Sequence, residues 1–185
     1  MIKFLKKERV AIYIDGGNFY RRLKDSEINF PNGVKFDYDK FIDFLLRKRK
    51  LVSRRYYIGI VRDFNGSEKS KKLVKSQQKF LSELEKAGFV IKRGKIVYDD
   101  GSIREKGVDV KIATDLIIGA TDNLYDTAIV VSSDTDLIPA IKYIKYKNKK
   151  VEYVGFSHNP SFGMIKESDL RRLLLSEEIN KFKKL

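Results

Sequence analysis

The sequence predicts an α/β fold in three layers, with helices on both faces of a five-stranded parallel sheet. Three observations predict it. Segments rich in β-branched and aromatic residues alternate with helical stretches, the order that βαβ units impose. Two apolar strands end at once in carboxylates, Val10 to Ile14 in Asp15 and Thr127 to Val131 in Asp134. That is how strands end where an open α/β sheet keeps its ligand site, beyond the carboxyl edge. Finally, 185 residues with 42% apolar content suffice for one core burying roughly 70% of the surface of the unfolded chain.

The first strand, 9–14, runs into Asp15-Gly16-Gly17-Asn18 and a helix at 17–24. The turn chemistry of Asn32-Gly33 separates this helix from a second at 37–49. The second strand, 53–61, leads through the polar stretch Asp63 to Ser70 into a helix at 67–86. The third strand lies at 88–93, and the tight turn Asp99-Asp100-Gly101-Ser102 begins a connection to the helix at 107–120. The fourth strand, 127–132, precedes a helix at 136–146, whose Pro139 has no N–H and belongs in a first helical turn. The fifth strand is 150–156. After the turn Ser157-His158-Asn159-Pro160, a last helix at 168–181 carries Leu170, Leu173 and Leu174. Each helix shows apolar residues at spacings of three and four, and no repeat or interdomain linker interrupts the series. The chain reads as one domain over 1–185.

Composition narrows the chemistry. The absence of cysteine removes disulfides, thiolate nucleophiles and cysteine-based zinc, and the single His158, a loop residue beside Asn159-Pro160, cannot make a histidine metal site alone. Hard-cation chemistry through oxygen ligands remains. No apolar run approaches the ~18 residues of a bilayer span, and Met1 to Val10 lacks a signal-peptide core, so a cytoplasmic protein without membrane contact is expected. Lys and Arg number 39 against 25 Asp and Glu, a formal charge of +14 that attracts polyanions. Nucleic acid is the favoured partner, with a lysine-rich solubilising surface as the alternative.

Three segments then supply carboxylates. Asp15 stands at the end of its strand with two glycines that let backbone approach a ligand, but the third glycine of a dinucleotide fingerprint and the Lys-Ser/Thr of a phosphate loop are missing. In Ser132-Ser133-Asp134-Thr135-Asp136, the position of Pro139 puts the helix N-cap near Asp136 and Asp134 on the bend before it. Asp109, in Lys106-Gly107-Val108-Asp109, lies on the apolar stripe of Ile112, Ala113, Leu116, Ile117 and Ala120, where a charge needs a partner. Asp115 falls outside that stripe, four residues after Lys111, and reads as a solvated or salt-bridged residue. Helix capping explains Asp15 or one acid of the Asp-x-Asp pair, and a neighbouring lysine would explain Asp109. Together, carboxylates converging on one pocket repel unless a divalent cation sits between them, and Mg²⁺ or Mn²⁺ prefers such oxygen ligands. With a polyanionic partner, phosphodiester hydrolysis is the natural reaction.

Asp15-Gly16-Gly17-Asn18, Lys106-Gly107-Val108-Asp109 and Ser132-Ser133-Asp134-Thr135-Asp136 with Pro139 resemble the motifs of an NYN domain, of the LabA-like branch of the PIN-like nuclease superfamily. The match covers residues 8 to 157, and a C-terminal helical extension follows at about 161–182. The resemblance implies strand order 3-2-1-4-5, an acidic Mg²⁺ or Mn²⁺ site and a ribonuclease. Asp15, Asp109, Asp134 and Asp136 would be catalytic and hold the metal, while Asn18 and Ser132 would orient substrate. Ser133 departs from the pattern, where the family often has glycine, and its side chain would narrow the approach to the metal.

For nucleic-acid contact the basic clusters supply Arg47, Arg49, Arg54, Arg55, Lys71, Lys72 and Lys106, together with Lys142 through Lys150. Tyr56, Tyr57, Tyr143 and Tyr146 lie among them, as base-stacking surfaces or as core, with Tyr57 and Tyr143 expected inward. Two other readings stay open. One is a weakly catalytic RNA-binding regulatory module. The other is a haloacid-dehalogenase-like phosphatase, because Asp134-Thr135-Asp136 follows an apolar strand, although that family places the motif early in the chain. The helices beyond Pro160 are left for packing or for contacts in a homo-oligomer.

Overall fold

The computed structural model describes residues 7–32, 34–63, 65–99 and 102–184. Strand β1 (Arg9–Asp15) is buried from Val10 onward on both faces, the signature of a central parallel strand. Helix α1 (Gly16–Leu23) follows directly, then β2 (Lys35–Phe36), α2 (Tyr38–Leu46), β3 (Lys50–Ile60) and α3 (Glu68–Lys86). A hairpin of β4 (Val90–Asp99) and β5 (Ser102–Lys106) leads to α4 (Val108–Thr121), β6 (Thr127–Val131) and α5 (Ile138–Tyr146). The chain closes with β7 (Lys150–Phe156), α6 (Phe162–Glu167), β8 (Leu170–Leu174), α7 (Ser176–Asn180) and β9 (Lys183–Lys184).

The sheet has seven strands in the order β5-β4-β3-β1-β6-β7-β8, all parallel except β5. The five strands expected from the sequence keep the order 3-2-1-4-5 within it, so the α/β architecture holds and its strand count rises from five to seven. Alternation along β1 divides the core between the two faces. Val10, Ile12 and Ile14 pack with Phe19, Phe41 and Leu45 under α1 and α2, while Ala11 and Tyr13 pack with Ile112, Leu116 and Ile141 under α4 and α5. β2 and β9 pair separately as a small antiparallel ribbon.

The two additional strands correct two expectations. β5 turns back on β4 with Tyr98 opposite Ile103, forming a hairpin where a plain connection was expected; Asp100 and Gly101 at its turn, like Gly33 of the Asn32-Gly33 turn, lie outside the described residues. The helix expected over 168–181 is instead β8, parallel to β7, followed by the short α7. Its leucines suit either period, but the inward residues of β8 are Arg172 and Leu174, and Arg172 is buried because it pairs with Glu152 of β7. A strand whose inward face includes a paired arginine does not read as a strand by hydropathy. The C-terminal extension is thus part sheet, and α6 is a helix the sequence did not reveal. Among the described residues, no helix is long and apolar enough to cross a membrane.

Candidate functional site

Asp15 ends β1 at the carboxyl edge and is 8% exposed. One carboxylate oxygen accepts the Asn18 backbone N–H at 3.0 Å, capping α1, and the other accepts the Ser132 hydroxyl at 3.0 Å. The Ser132 oxygen accepts the Asp134 N–H at 3.2 Å, and the Asn18 side-chain carbonyl accepts the Ser133 N–H at 3.2 Å. These bonds tie the turn after β1 to the turn after β6. Capping and site-building are therefore the same bonds, not rival explanations of Asp15. Burial pushes the Asp15 carboxyl above the usual range, and the charge of Asp134 adds to this, against the Asn18 and Ser132 donors and the Arg21 cation. Gly16 is required by close approach, since a Cβ there would stand 2.4 Å from the Tyr56 ring and 2.7 Å from the Tyr57 carbonyl oxygen. Its neighbour on that side is protein, where a ligand was expected.

Asp134 caps a 3₁₀ turn, Thr135–Leu137, by accepting the Asp136 N–H at 2.9 Å, and α5 begins after that turn with Pro139 in its first positions. The capping acid is Asp134, where Asp136 was expected; Asp136 is exposed within the 3₁₀ turn. Asp109 is half-buried in the first turn of α4, after Gly107, whose left-handed φ of 79° starts the helix. Asp115 behaves as expected, bound by the Tyr57 hydroxyl at 2.8 Å and paired with Arg55 and Lys92, each at 3.2 Å. The Ser133 hydroxyl stands 3.3 Å from that of Tyr153, so its side chain is held by the protein.

Glu105 is the residue that sequence reasoning missed. It lies on β5, and the hairpin folds it back over the glycines. A Cβ on Gly17 would meet its carboxylate at 2.8 Å, and one on Gly59 would meet its Cγ at 2.9 Å. Its carboxyl is also held above the usual range, first by desolvation and then by the charge of Asp15, with Asp109 adding, while the Gly59 backbone N–H and Arg21 oppose. The signal was available: Asp-Gly beyond a strand marks a two-residue hairpin, which would have returned Glu105 to the edge.

The charge of Asp134 thus reaches Asp15, and those of Asp15 and Asp109 reach Glu105, at one end of the sheet. Among the described residues none of these acids, nor Asp136, has an ion-pair partner within 4.0 Å, while Arg21 on α1 exerts its charge on Asp15 and Glu105. An all-oxygen donor set of this charge suits a hard divalent cation. The spacing is looser than the chemistry. Among the described residues, no group of three or more carboxylates or histidines stands close enough to hold a metal ion.

The basic residues divide by edge. Lys71 and Lys72 open α3 just past the carboxyl end of β3, and Lys106 precedes α4; all three are exposed at that edge of the sheet, Lys71 in an exposed pair with Glu68 at 3.4 Å. Arg47 and the cluster ending at Lys150 lie at the amino ends of strands, the far edge, because each crossover returns the chain there. Arg49 is held by Glu152 and the carbonyl oxygens of Leu45 and Leu46; Arg55 is held by Asp115 and stacks 5.6 Å from the Tyr13 ring. Arg54 pairs with Asp39 at 2.8 Å over the Phe89 ring. These three arginines, expected at nucleic acid, are engaged inside the fold. Tyr56 and Tyr57 are core, whereas Tyr143 is 38% exposed rather than inward and Tyr146 is 78% exposed.

A family model for the NYN domain matches residues 9–171. A crystal structure of a protein of unknown function from Vibrio parahaemolyticus is similar with a TM-score of 0.72 and 25% identity, over 99% of this chain and 100% of that one. No curated protein matches the chain.

Proposed function

The chain belongs to the NYN domain family of PIN-like nucleases, and from that premise we propose that it is a Mg²⁺- or Mn²⁺-dependent ribonuclease acting at the carboxyl edge of the sheet. The observation that carries this reading is the contrast in pairing. Acids gather at this one edge without, among the described residues, an ion-pair partner, and the Asp15 and Glu105 carboxyls are pushed up by burial, Asp15 further by the charge of Asp134 and Glu105 by that of Asp15. A bound divalent ion offsets that charge and, when bound, lowers the pKa of water and neutralises phosphoryl oxygens.

Asp15, Asp109, Asp134 and Asp136 would hold the ion, with Glu105 facing the same space across Gly17. Ser132 and Asn18 act as positioning residues. The Ser132 hydroxyl donates to Asp15 and its oxygen accepts from the Asp134 backbone, so it sets the separation of two carboxylates; Asn18 holds the turn at Ser133. Lys71, Lys72 and Lys106 approach the phosphates of a bound strand, and their contacts weaken with salt.

A second reading, an RNA-binding regulatory module that cuts slowly, is favoured by one observation: among the described residues no three acids close around one point. One experiment separates the readings. Labelled single-stranded RNA is incubated with purified protein in Mg²⁺, in Mn²⁺ and in chelator, beside Asp15→Asn and Asp134→Asn. Cleavage confined to the wild type with metal supports the nuclease. Equal cleavage in all samples denotes a contaminant, and tight binding without cleavage supports the regulatory module.

A further inference from the structure

A groove of about 1010 Å³ opens from the acidic edge. Gly16, Gly17, Gly59 and Glu105 line its inner end, and it continues between α1 and α3 toward the β2–β9 ribbon. Its size is at the upper end of small-ligand sites. Three large apolar side chains that the fold leaves in water converge on it from separate segments: Tyr20 of α1, Val34 before β2 and Leu73 of α3, exposed by 60%, 37% and 53%. Aromatic rings of Tyr38, Tyr56 and Phe80 form the deeper wall, where the Tyr38 and Tyr56 hydroxyls bond to each other at 3.2 Å and leave a largely apolar surface. An exposed apolar patch of this kind marks a binding surface.

We infer that this groove seats an unpaired nucleobase of the strand whose phosphate lies at the acids, with Tyr20 as the stacking platform; the inference rests on the nuclease reading above. Two observations select this occupant. The first is continuity: Gly17 and Glu105 belong to both the groove and the acidic edge, so a ligand in one is within a nucleotide's reach of the other. The second is charge. Lys79, Lys86 and Lys184 line the rim, and among the described residues none of the three is in an ion pair within 4.0 Å, so cations are available for backbone phosphates while the interior takes an aromatic ring. Tyr20 already has a cation beside it, the Lys24 ammonium lying 5.9 Å from its ring centroid. Stacking on an aromatic ring tolerates every base, whereas a paired base must first be extruded, so the site prefers single strands and is nearly indifferent to sequence.

The test is equilibrium binding of a short fluorescent single-stranded RNA by anisotropy, in chelator and with the Asp15→Asn protein throughout, so that cleavage plays no part. Tyr20→Ala in that background weakens binding about tenfold, the scale of one lost base stack. Tyr20→Phe restores it, and Leu170→Ala, an exposed apolar residue at the amino end of β8, leaves it unchanged. An RNA of the same length with abasic residues binds both Asp15→Asn and its Tyr20→Ala derivative equally weakly. Equal affinity of the Tyr20→Ala and Tyr20-containing proteins for the intact strand overturns the groove and leaves the nuclease reading standing. A dimer in sedimentation that Tyr20→Ala dissociates also overturns it, since a second copy then fills the groove. Failure of every protein to bind RNA overturns both.

Discussion

The acids at the two edges of the sheet are treated in opposite ways. Toward the amino edge two acids are held by arginines. Asp126 takes the Arg9 guanidinium at 2.8 Å, and Glu152, 4% exposed, is clasped by Arg49 at 2.8 Å and Arg172 at 3.0 Å. At the carboxyl edge Asp15, Glu105, Asp109 and Asp134 are left to backbone donors, hydroxyls and one another. A chain with fourteen surplus positive charges has ample cations to pair them. That it pairs one set and not the other fits the proposed reading, in which the first set serves stability and the second receives a cation from solution.

The sharpest way to break the comparison is at Glu152. Glu152→Gln leaves two arginines without their carboxylate in a buried position, and a loss of about 3–5 kcal/mol is expected in urea unfolding. Asp15→Asn should do the reverse. It removes a charge that burial disfavours, so the metal-free protein is at least as stable as wild type, while cleavage falls by about a hundredfold or more. If Asp15→Asn destabilises as Glu152→Gln does, the carboxyl-edge acids are structural and the contrast fails.

Metal should add to stability at only one edge. At a concentration one hundred times its Kd, Mg²⁺ or Mn²⁺ raises the unfolding free energy by about 2.7 kcal/mol, and Asp15→Asn removes the increment. The increment shrinks as pH falls from neutrality, because protons compete for carboxyls whose affinity for them is already raised. Thermal melts with and without chelator at several pH values read this directly.

Without metal, the two edges have opposite pH signatures. The Asp15 carboxyl binds its proton more tightly folded than unfolded, so it costs stability as pH rises from the ordinary carboxylate range through its raised pKa, and the cost persists above it. Asp126, lowered to about 2 by the Arg9 hydrogen bond, contributes stability above the ordinary carboxylate range and loses it as pH falls toward that value. Asp15→Asn should flatten the neutral side of the stability profile and Asp126→Asn the acid side. The smallest effect belongs to Arg9→Ala at neutral pH, because Asp126 is partly exposed and its pair is screened.

Much of this contrast was already visible in the residues. Asp15 and Asp134 were legible because each ends an apolar strand, and a parallel strand buried on both faces leaves only its end for polar chemistry. Asp115 was legible as solvated or salt-bridged from its place off the apolar stripe, and the fold made it the latter, with Arg55 and Lys92. Glu105 was missed despite the Asp-Gly turn signal, since it reaches the site only when β5 folds back along β4, a pairing between strands on either side of that turn. β8 was missed as well, because its inward Arg172 looks polar until Glu152 on the neighbouring strand accounts for it. The internal partners of Arg49 and Arg55 were hidden for the same reason, because a guanidinium reads as surface until its partner is located.

By itself the sequence determined the alternation of strands and helices, the carboxylates at two strand ends and a chemistry restricted to oxygen ligands and cationic surfaces. Those follow from local periodicity and from residue inventory. The partner of each charge, the edge each cluster occupies and the groove beside Gly17 were decided only when distant strands came into register. Burial and pairing are properties of the space between segments, and no single segment contains them.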